Sequence, residues 1–305
     1  MSLRWSPKRC KTDMLKALIF DVDGTLVDSE RHGHRIAYNR AFSESGLNWN
    51  WGEETYSQLV KVCGARERLR QFLGSTAVDG LSWIADDPEA FIEDLYQKKT
   101  RHFVSIAETG ALSPRPGISR LLHEARQKGL TLAIASSSDE TNVRTLLRHA
   151  FAENIESWFQ YIGAGDTAVQ KKPDPEIYRT VLQKLGISPN QCLAFEDSGP
   201  GLNAASAAGI PTIVTWNEYS RNDCFQGAAL VVEHLEGDRN PATTRFGAGK
   251  TSDPERIDLQ TLHRVHEHWL NYGEPFPTPS NAHPGRRRDR SEHDRFHCVQ
   301  PTQHS

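Results

Sequence analysis

The stretch LKALIFDVDGTLVDS, residues 15–29, decides the architecture. Its first six residues are apolar apart from Lys16, and the run stops abruptly at Asp21. A short apolar run ending in polar residues is the pattern of a strand buried in a parallel sheet, with its carboxyl end at the surface. Ligands of open α/β sheets bind beyond those carboxyl ends, which is where Asp21 and Asp23 stand. Being two residues apart, they start on the same side of the chain. Gly24 permits the sharp turn that ends the strand. Two carboxylates this close repel each other. A divalent cation relieves the repulsion, and an all-oxygen ligand set selects Mg²⁺. An Asp-Gly turn alone is common after strands, whereas the nine-residue string DVDGTLVDS behind an apolar strand is far more specific.

Downstream, residues 29 to about 105 carry apolar side chains at three- and four-residue spacing in RHGHRIAYNRAFSESG, EETYSQLVKV, ARERLRQFLG and DPEAFIEDLYQKKTRHFVSI, which predicts helices. Asp87-Pro88 reads as the cap and first turn of the last of these. From Pro116 strands and helices alternate. Helices are expected in GISRLLHEARQKG, DETNVRTLLRHAF, DPEIYRTVLQKLG and GPGLNAASAAG, closed by Gly129 and Gly186 in two cases. Strands are expected at 131–135, 161–165, 192–197 and 211–216, with an edge strand at 228–232. Such alternation implies a parallel sheet covered by helices on both faces. The expected fold is therefore an α/β, Rossmann-like core with a mostly parallel sheet (14–28 and 106–235) and an inserted all-helical cap (29–105). A loop and helix (236–273) and a disordered tail (274–305) complete the chain.

Three further features follow later strands. Ser136 ends TLAIA, where a hydroxyl and backbone N–H groups can hold a phosphoryl oxygen; alone, the run Ser136-Ser137-Ser138 is a generic loop. Lys172, in QKKPDPEIY, offers a fixed cation that offsets phosphate charge and keeps a carboxylate nucleophile ionised. Glu196-Asp197 ends CLAF, where a carboxylate can complete a Mg²⁺ sphere, although acidic pairs also cap helices. The order strand-DxD, strand-Ser, Lys-Pro, strand-ED gives these individually weak signals their weight. They allow phosphoryl transfer through a covalent aspartyl phosphate, with Asp21 as nucleophile and Asp23 as acid and base.

Composition sets outer limits. Of 305 residues 37% are hydrophobic and 25% charged, and the net charge of −3 points neither to nucleic acid nor to an anionic membrane. Five widely spaced cysteines without a CxxC pair argue against a disulfide framework or zinc site and for a reducing compartment. The basic N-terminus lacks the apolar run of about 7–15 residues that a secretory signal needs, and no stretch approaches the ~18 apolar residues of a membrane span. A soluble, monomeric, cytoplasmic protein is expected, with a plastid as the other compartment. Arg286-Arg287-Arg288 and the histidines 283, 293, 297 and 304 read as parts of a solvated tail.

The strings DVDGTLVDSERHGHRIAYNRAF, YSQLVKVCGARERLRQFL, RPGI, LAIASSSDETNV, GDTAVQKKPDPEIY and FEDSGPGLNAASAAGI resemble the haloacid-dehalogenase (HAD) superfamily in its branch with a helical cap. Within it they look most like the CbbY group, sugar-bisphosphate phosphatases associated with Rubisco. The resemblance implies removal of the 1-phosphate from xylulose 1,5-bisphosphate, a Rubisco inhibitor. It implies catalytic roles for Asp21, Asp23, Ser136 and Lys172, and Mg²⁺ ligation by Asp21, the backbone of Asp23 and Asp197, with Glu196 beside them. It also implies that Glu30, His34, Tyr56, Gly64, Arg66, Glu67, Arg68, Ser137 and Lys172 face the substrate. Arg66 and Arg68 suit a second phosphate, because guanidinium binds phosphate bidentately; both also fit a solvated helix face. Residues 63–65 read Cys-Gly-Ala where the group usually has Gly-Gly. A hexose phosphomutase such as β-phosphoglucomutase shares all four motifs, and a broad sugar-phosphate phosphatase fits as well. Intact Asp23 argues against a dehalogenase. Lys61 is the candidate that a phosphonatase would need. A non-catalytic binding protein would be expected to lack a motif residue, and none is missing. GAGDTA (163–168) and GAGK (247–250) do not form the GxGxxG of a dinucleotide site.

Overall fold

In the computed structural model, which describes residues 14–75, 87–236 and 256–276, the apolar run after Leu15 becomes β1 (Ala17–Phe20), with every residue of it buried. The other strands are β2 (Thr131–Ala135), β3 (Phe159–Gly163), β4 (Cys192–Glu196), β5 (Thr212–Thr215) and β6 (Leu230–Val232). They form one sheet in the order β3-β2-β1-β4-β5-β6, and all five pairings are parallel. The chain winds outward from β1 through β2 to β3, then returns to β1's other side for β4. That reversal opens a crevice at the carboxyl end of β1. Register sets its floor: Phe20 is level with Ile134 and with Phe195, so Asp21, Ala135 and Glu196 emerge at one height.

Side-chain alternation divides the sheet's faces. Leu18, Phe20, Leu132, Ile134, Leu193 and Phe195 pack beneath α5 (Ile118–Gln127), α6 (Glu140–His149) and α9 (Leu259–Tyr272). Ala17, Ile19, Ala133, Ala135 and Ala194 face α7 (Glu176–Leu185) and α8 (Gly199–Ala207). Small residues on this second face let its helices approach closely. Each large apolar side chain removed from water contributes roughly 1.5–3 kcal/mol.

Between β1 and α5 lies a helical block: α1 (Arg35–Glu44), α2 (Glu53–Leu59), α3 (Ala65–Ser75) and α4 (Pro88–Glu108). It has its own buried cluster, rich in aromatics: Tyr38, Phe42, Trp51, Tyr56, Phe91 and Tyr96. The chain enters and leaves this block along adjacent segments, with Asp28 N donating to Ser113 O (3.1 Å) and Arg115 N to Leu26 O (2.9 Å). The Asp87 side chain caps α4 by accepting from Ala90 N, as its position before Pro88 implied.

The sequence expectations meet four departures or limits. The expected helix from Arg31 begins instead with a wide π-type turn, Glu30–His34, which leads into α1. Strand β3 starts and ends two residues earlier than expected. Cys63 and Cys192 carry free thiols, but Cys224 is disulfide-bonded, which corrects the cysteine reading at that position. Most of the expected loop after 236, the tail histidines and Arg286-Arg287-Arg288 lie outside the described residues. Among the described residues, no helix is long and apolar enough to cross a membrane.

Candidate active site

Beyond the carboxyl ends of the strands, a cavity of about 280 Å³ separates the sheet from the helical block. Asp21, 7% exposed, forms its floor. Lys172 Nζ lies 2.7 Å from Asp21 Oδ1 and 2.6 Å from Glu196 Oε1. Tyr178 donates its hydroxyl to the same Glu196 oxygen. Burial, offset in part by Lys172 and reinforced by Glu196 and Asp197, pushes the Asp21 carboxyl well above the usual range. Burial and Glu196 likewise push Asp197 up to about 7. Lys172 is also buried, yet the charges of Asp21 and Glu196 outweigh its desolvation and raise its pKa.

Lys172 pairs with Asp21 and Glu196, and Asp197 joins these two acids in a group where each offers an oxygen within 4.8 Å of the others. The donors are all oxygen, and burial, with repulsion among the neighbouring carboxylates, holds Asp21 and Asp197 above the usual range. That is the environment a hard divalent cation such as Mg²⁺ fits. Backbone shape serves the cluster: Gly24 has φ +82°, and a Cβ there would lie 2.3 Å from Asp197 Oδ2. Gly24→Ala is expected to cost about 1–2 kcal/mol in unfolding free energy from the left-handed backbone alone. It should also displace Asp197. Urea denaturation and turnover measured together check this, and an Ala variant with wild-type values for both would contradict it.

Asp23 sits apart from that cluster. His34 Nε2 lies 2.8 Å from its Oδ1, Ser29 donates to the same oxygen, and Ser138 donates to Oδ2. Burial alone would raise this carboxyl. The His34 charge and the hydrogen bonds of His34, Ser138 and Ser29 outweigh it and hold the carboxyl well below the usual range. The wide turn Glu30–His34 brings His34 here, where its ring stacks on Phe103 with centroids 3.9 Å apart. Ser136 is buried at the end of β2; its N–H donates to Gly163 O (2.9 Å), and its Oγ accepts from Ser138 N (3.1 Å).

The remaining residues singled out in the sequence also line the cavity, apart from Tyr56, which stands just behind its wall. Tyr56 donates to Glu30 and accepts from Arg68 Nη1 at 2.8 Å. Arg68 is not on a solvated face. It is 7% exposed and also donates to Val60 O and Val62 O. Arg66 is held by Glu93 through two hydrogen bonds (2.6 and 3.1 Å), with its guanidinium 3.5 Å above the Tyr96 ring. Gly64 takes φ +95°, and a Cβ there would collide with the Glu67 carboxylate. Ser137 lines the wall beside Ser136.

Sequence reasoning passed over several cavity-lining residues. Lys99 is 2% exposed and lies 5.1 Å over the Phe103 ring and 5.4 Å over that of Tyr38. Among the described residues no ion pair involves it, and burial lowers its pKa to about 8, against the opposing charge of Asp23. A signal existed: Lys99 interrupts the buried stripe Ile92, Leu95, Phe103, Ile106 of α4 at a position where an apolar residue belongs. Ser138 was the member of the serine run left without a role, and Asn142, with its Oδ1 buried and unpartnered, gave no local cue.

Fold and site together define a hydrolase. A family model for haloacid dehalogenase-like hydrolases matches residues 15–209; the chain belongs to that family and is a phosphatase. It is 43% identical over 236 residues to protein CbbY of Cupriavidus necator, an alignment that covers 74% of this chain and 88% of that one. A crystal structure of CbbY from Rhodobacter sphaeroides in complex with phosphate superposes with a TM-score of 0.67 at 37% identity, covering 72% of this chain and 95% of that one. A mutant of the Rhodobacter protein in complex with xylulose 1,5-bisphosphate gives the same TM-score at 35% identity, covering 76% of this chain and all of the other.

Proposed function

We propose that this chain is a Mg²⁺-dependent sugar-phosphate phosphatase that hydrolyses the 1-phosphate of xylulose 1,5-bisphosphate through an aspartyl phosphate on Asp21. The observation that carries this reading is the separation of two carboxylates on one strand end. Asp21 lies in a cluster with Lys172 and two acids, while Asp23 is held apart by His34, Ser29 and Ser138. Likeness to the protein crystallised with xylulose 1,5-bisphosphate supports the choice of substrate.

In the first step an Asp21 oxygen attacks phosphorus and the bond from phosphorus to the sugar oxygen breaks. The sugar oxygen takes its proton from Asp23. In the second step Asp23 removes a proton from water, whose oxygen attacks the same phosphorus; the bond to Asp21 breaks and inorganic phosphate leaves. His34, Ser29 and Ser138 hold Asp23 as a carboxylate in the conformation described. An entering phosphoryl dianion raises its pKa and lets the group carry the proton needed in step one. Lys172 and Ser136 bear charge on the phosphoryl oxygens. Asp21, Asp197 and the backbone of Asp23 would hold Mg²⁺, with Glu196 beside them; when bound, the ion neutralises phosphoryl and carboxylate charge together. The helical block acts as a cap that excludes bulk water.

Removing divalent cations with EDTA should abolish phosphate release from xylulose 1,5-bisphosphate, and added Mg²⁺ should restore it. Full activity in EDTA would end the metal-dependent reading. For the distal phosphate, Arg66 is the candidate, held ready over Tyr96. Arg66→Ala should raise KM for the bisphosphate by roughly 10-fold or more, the loss of a charged hydrogen bond, and raise KM for a sugar monophosphate much less. Equal increases for both would remove Arg66 from that role.

A further inference from the structure

Asp197 is held by a residue outside every motif named so far. Asn217 Nδ2 donates to Asp197 Oδ2 at 2.6 Å. The Asn217 side chain is itself fixed by the turn that follows β5. Its Oδ1 accepts from Tyr219 N (2.9 Å) and Ser220 N (3.2 Å), and its backbone N–H donates to Ser220 Oγ (3.0 Å). This turn reaches the helical block through the next two side chains. Glu218 pairs with Arg31. The Tyr219 hydroxyl donates to Glu53 Oε2 at 2.7 Å, and its ring meets the edge of Tyr56 at 5.6 Å. Arg31 belongs to the same wide turn that presents His34 to Asp23.

We propose that Asn217 is a positioning residue for Asp197, and that the Tyr219–Glu53 contact couples the seating of the helical block to the acidic cluster through it. A short turn thus joins the two halves of the site: closure of the block sets Tyr219, whose backbone fixes the Asn217 carboxamide and so aims Asp197. The inference rests on the assignment of Asp197 as a metal ligand. Groups that orient metal ligands typically change metal affinity by 10–100-fold when removed. Coupling of this kind is reciprocal, so metal at Asp197 must also favour the closed block.

The test uses the full chain, with Mg²⁺ as the probe and isothermal titration calorimetry plus hydrogen exchange over residues 53–59 as readouts. Asn217→Ala should weaken Mg²⁺ binding about 10-fold. Tyr219→Phe, which removes one hydroxyl from a partly exposed contact and leaves the fold intact, should weaken it severalfold. It should also abolish the slowing of exchange at 53–59 that Mg²⁺ produces in the wild type. If Tyr219→Phe retains both wild-type Mg²⁺ affinity and Mg²⁺-dependent protection, the coupling is overturned. If Asn217→Ala retains wild-type affinity, the positioning role is overturned. Wild-type Mg²⁺ affinity in an Asp197→Asn variant would instead overturn the metal assignment, and the coupling with it.

Discussion

Asp21→Asn should lose turnover by about 10⁴-fold or more, the scale seen when a nucleophile is removed from an assembled site, while the fold survives. The loss follows from chemistry: the amide that replaces the carboxylate cannot form the phosphoenzyme. The survival follows from electrostatics. Burial and the neighbouring Glu196 and Asp197, offset in part by Lys172, raise the pKa of Asp21, so ionising it costs the metal-free fold stability. An isosteric neutral side chain relieves that repulsion, and Lys172 keeps Glu196 as a partner at 2.6 Å. The metal-free variant should melt no lower than wild type. Phosphate release and a thermal melt of the same sample check both halves; normal turnover would sink the covalent mechanism.

Asp23→Asn should lower kcat on a sugar phosphate by roughly 10²–10⁴-fold, the usual worth of a general acid and base. The more telling result concerns the leaving group. An activated aryl phosphate departs without a proton, so its transfer to Asp21 should be nearly preserved, whereas the water attack that follows still lacks its base. The phosphoenzyme should therefore accumulate, visible by intact-mass spectrometry as a covalent phosphoryl adduct. Equal loss on both substrates with no adduct would assign Asp23 a structural role, for which its links to His34, Ser29 and Ser138 would be sufficient reason.

The core of this architecture was readable because its signals are local. A buried parallel strand is an apolar run with a polar end, and β1, β2, β4 and β5 all fall where such runs lie. Strand β3 is an edge strand with exposed Gln160, and its Gly163-Ala164-Gly165 end looked like strand. In fact Gly165 N–H turns to the Ser138 carbonyl, since contacts across the sheet decide where it stops. The grouping of Asp21, Lys172 and Glu196 followed from motif order, because parallel register brings successive strand ends to one edge. Side-chain partners were another matter. Burial of Arg68 depends on Tyr56 and on carbonyls of the preceding loop. The wide turn at Glu30–His34 depends on where Asp23 and Phe103 lie. Asn217 is an ordinary residue in an ordinary turn until the fold sets it against Asp197. None of these leaves a periodic trace. Lys99 did, as a cation in an apolar stripe, and was legible in principle.

The most direct test of the whole account compares kcat/KM for phosphate release, in Mg²⁺, among xylulose 1,5-bisphosphate, ribulose 1,5-bisphosphate, β-glucose 1-phosphate and simple sugar monophosphates. The account predicts a strong preference for xylulose 1,5-bisphosphate. A flat profile, or conversion of β-glucose 1-phosphate without release of phosphate, would contradict it and point to a general phosphatase or a mutase built on the same nucleophile.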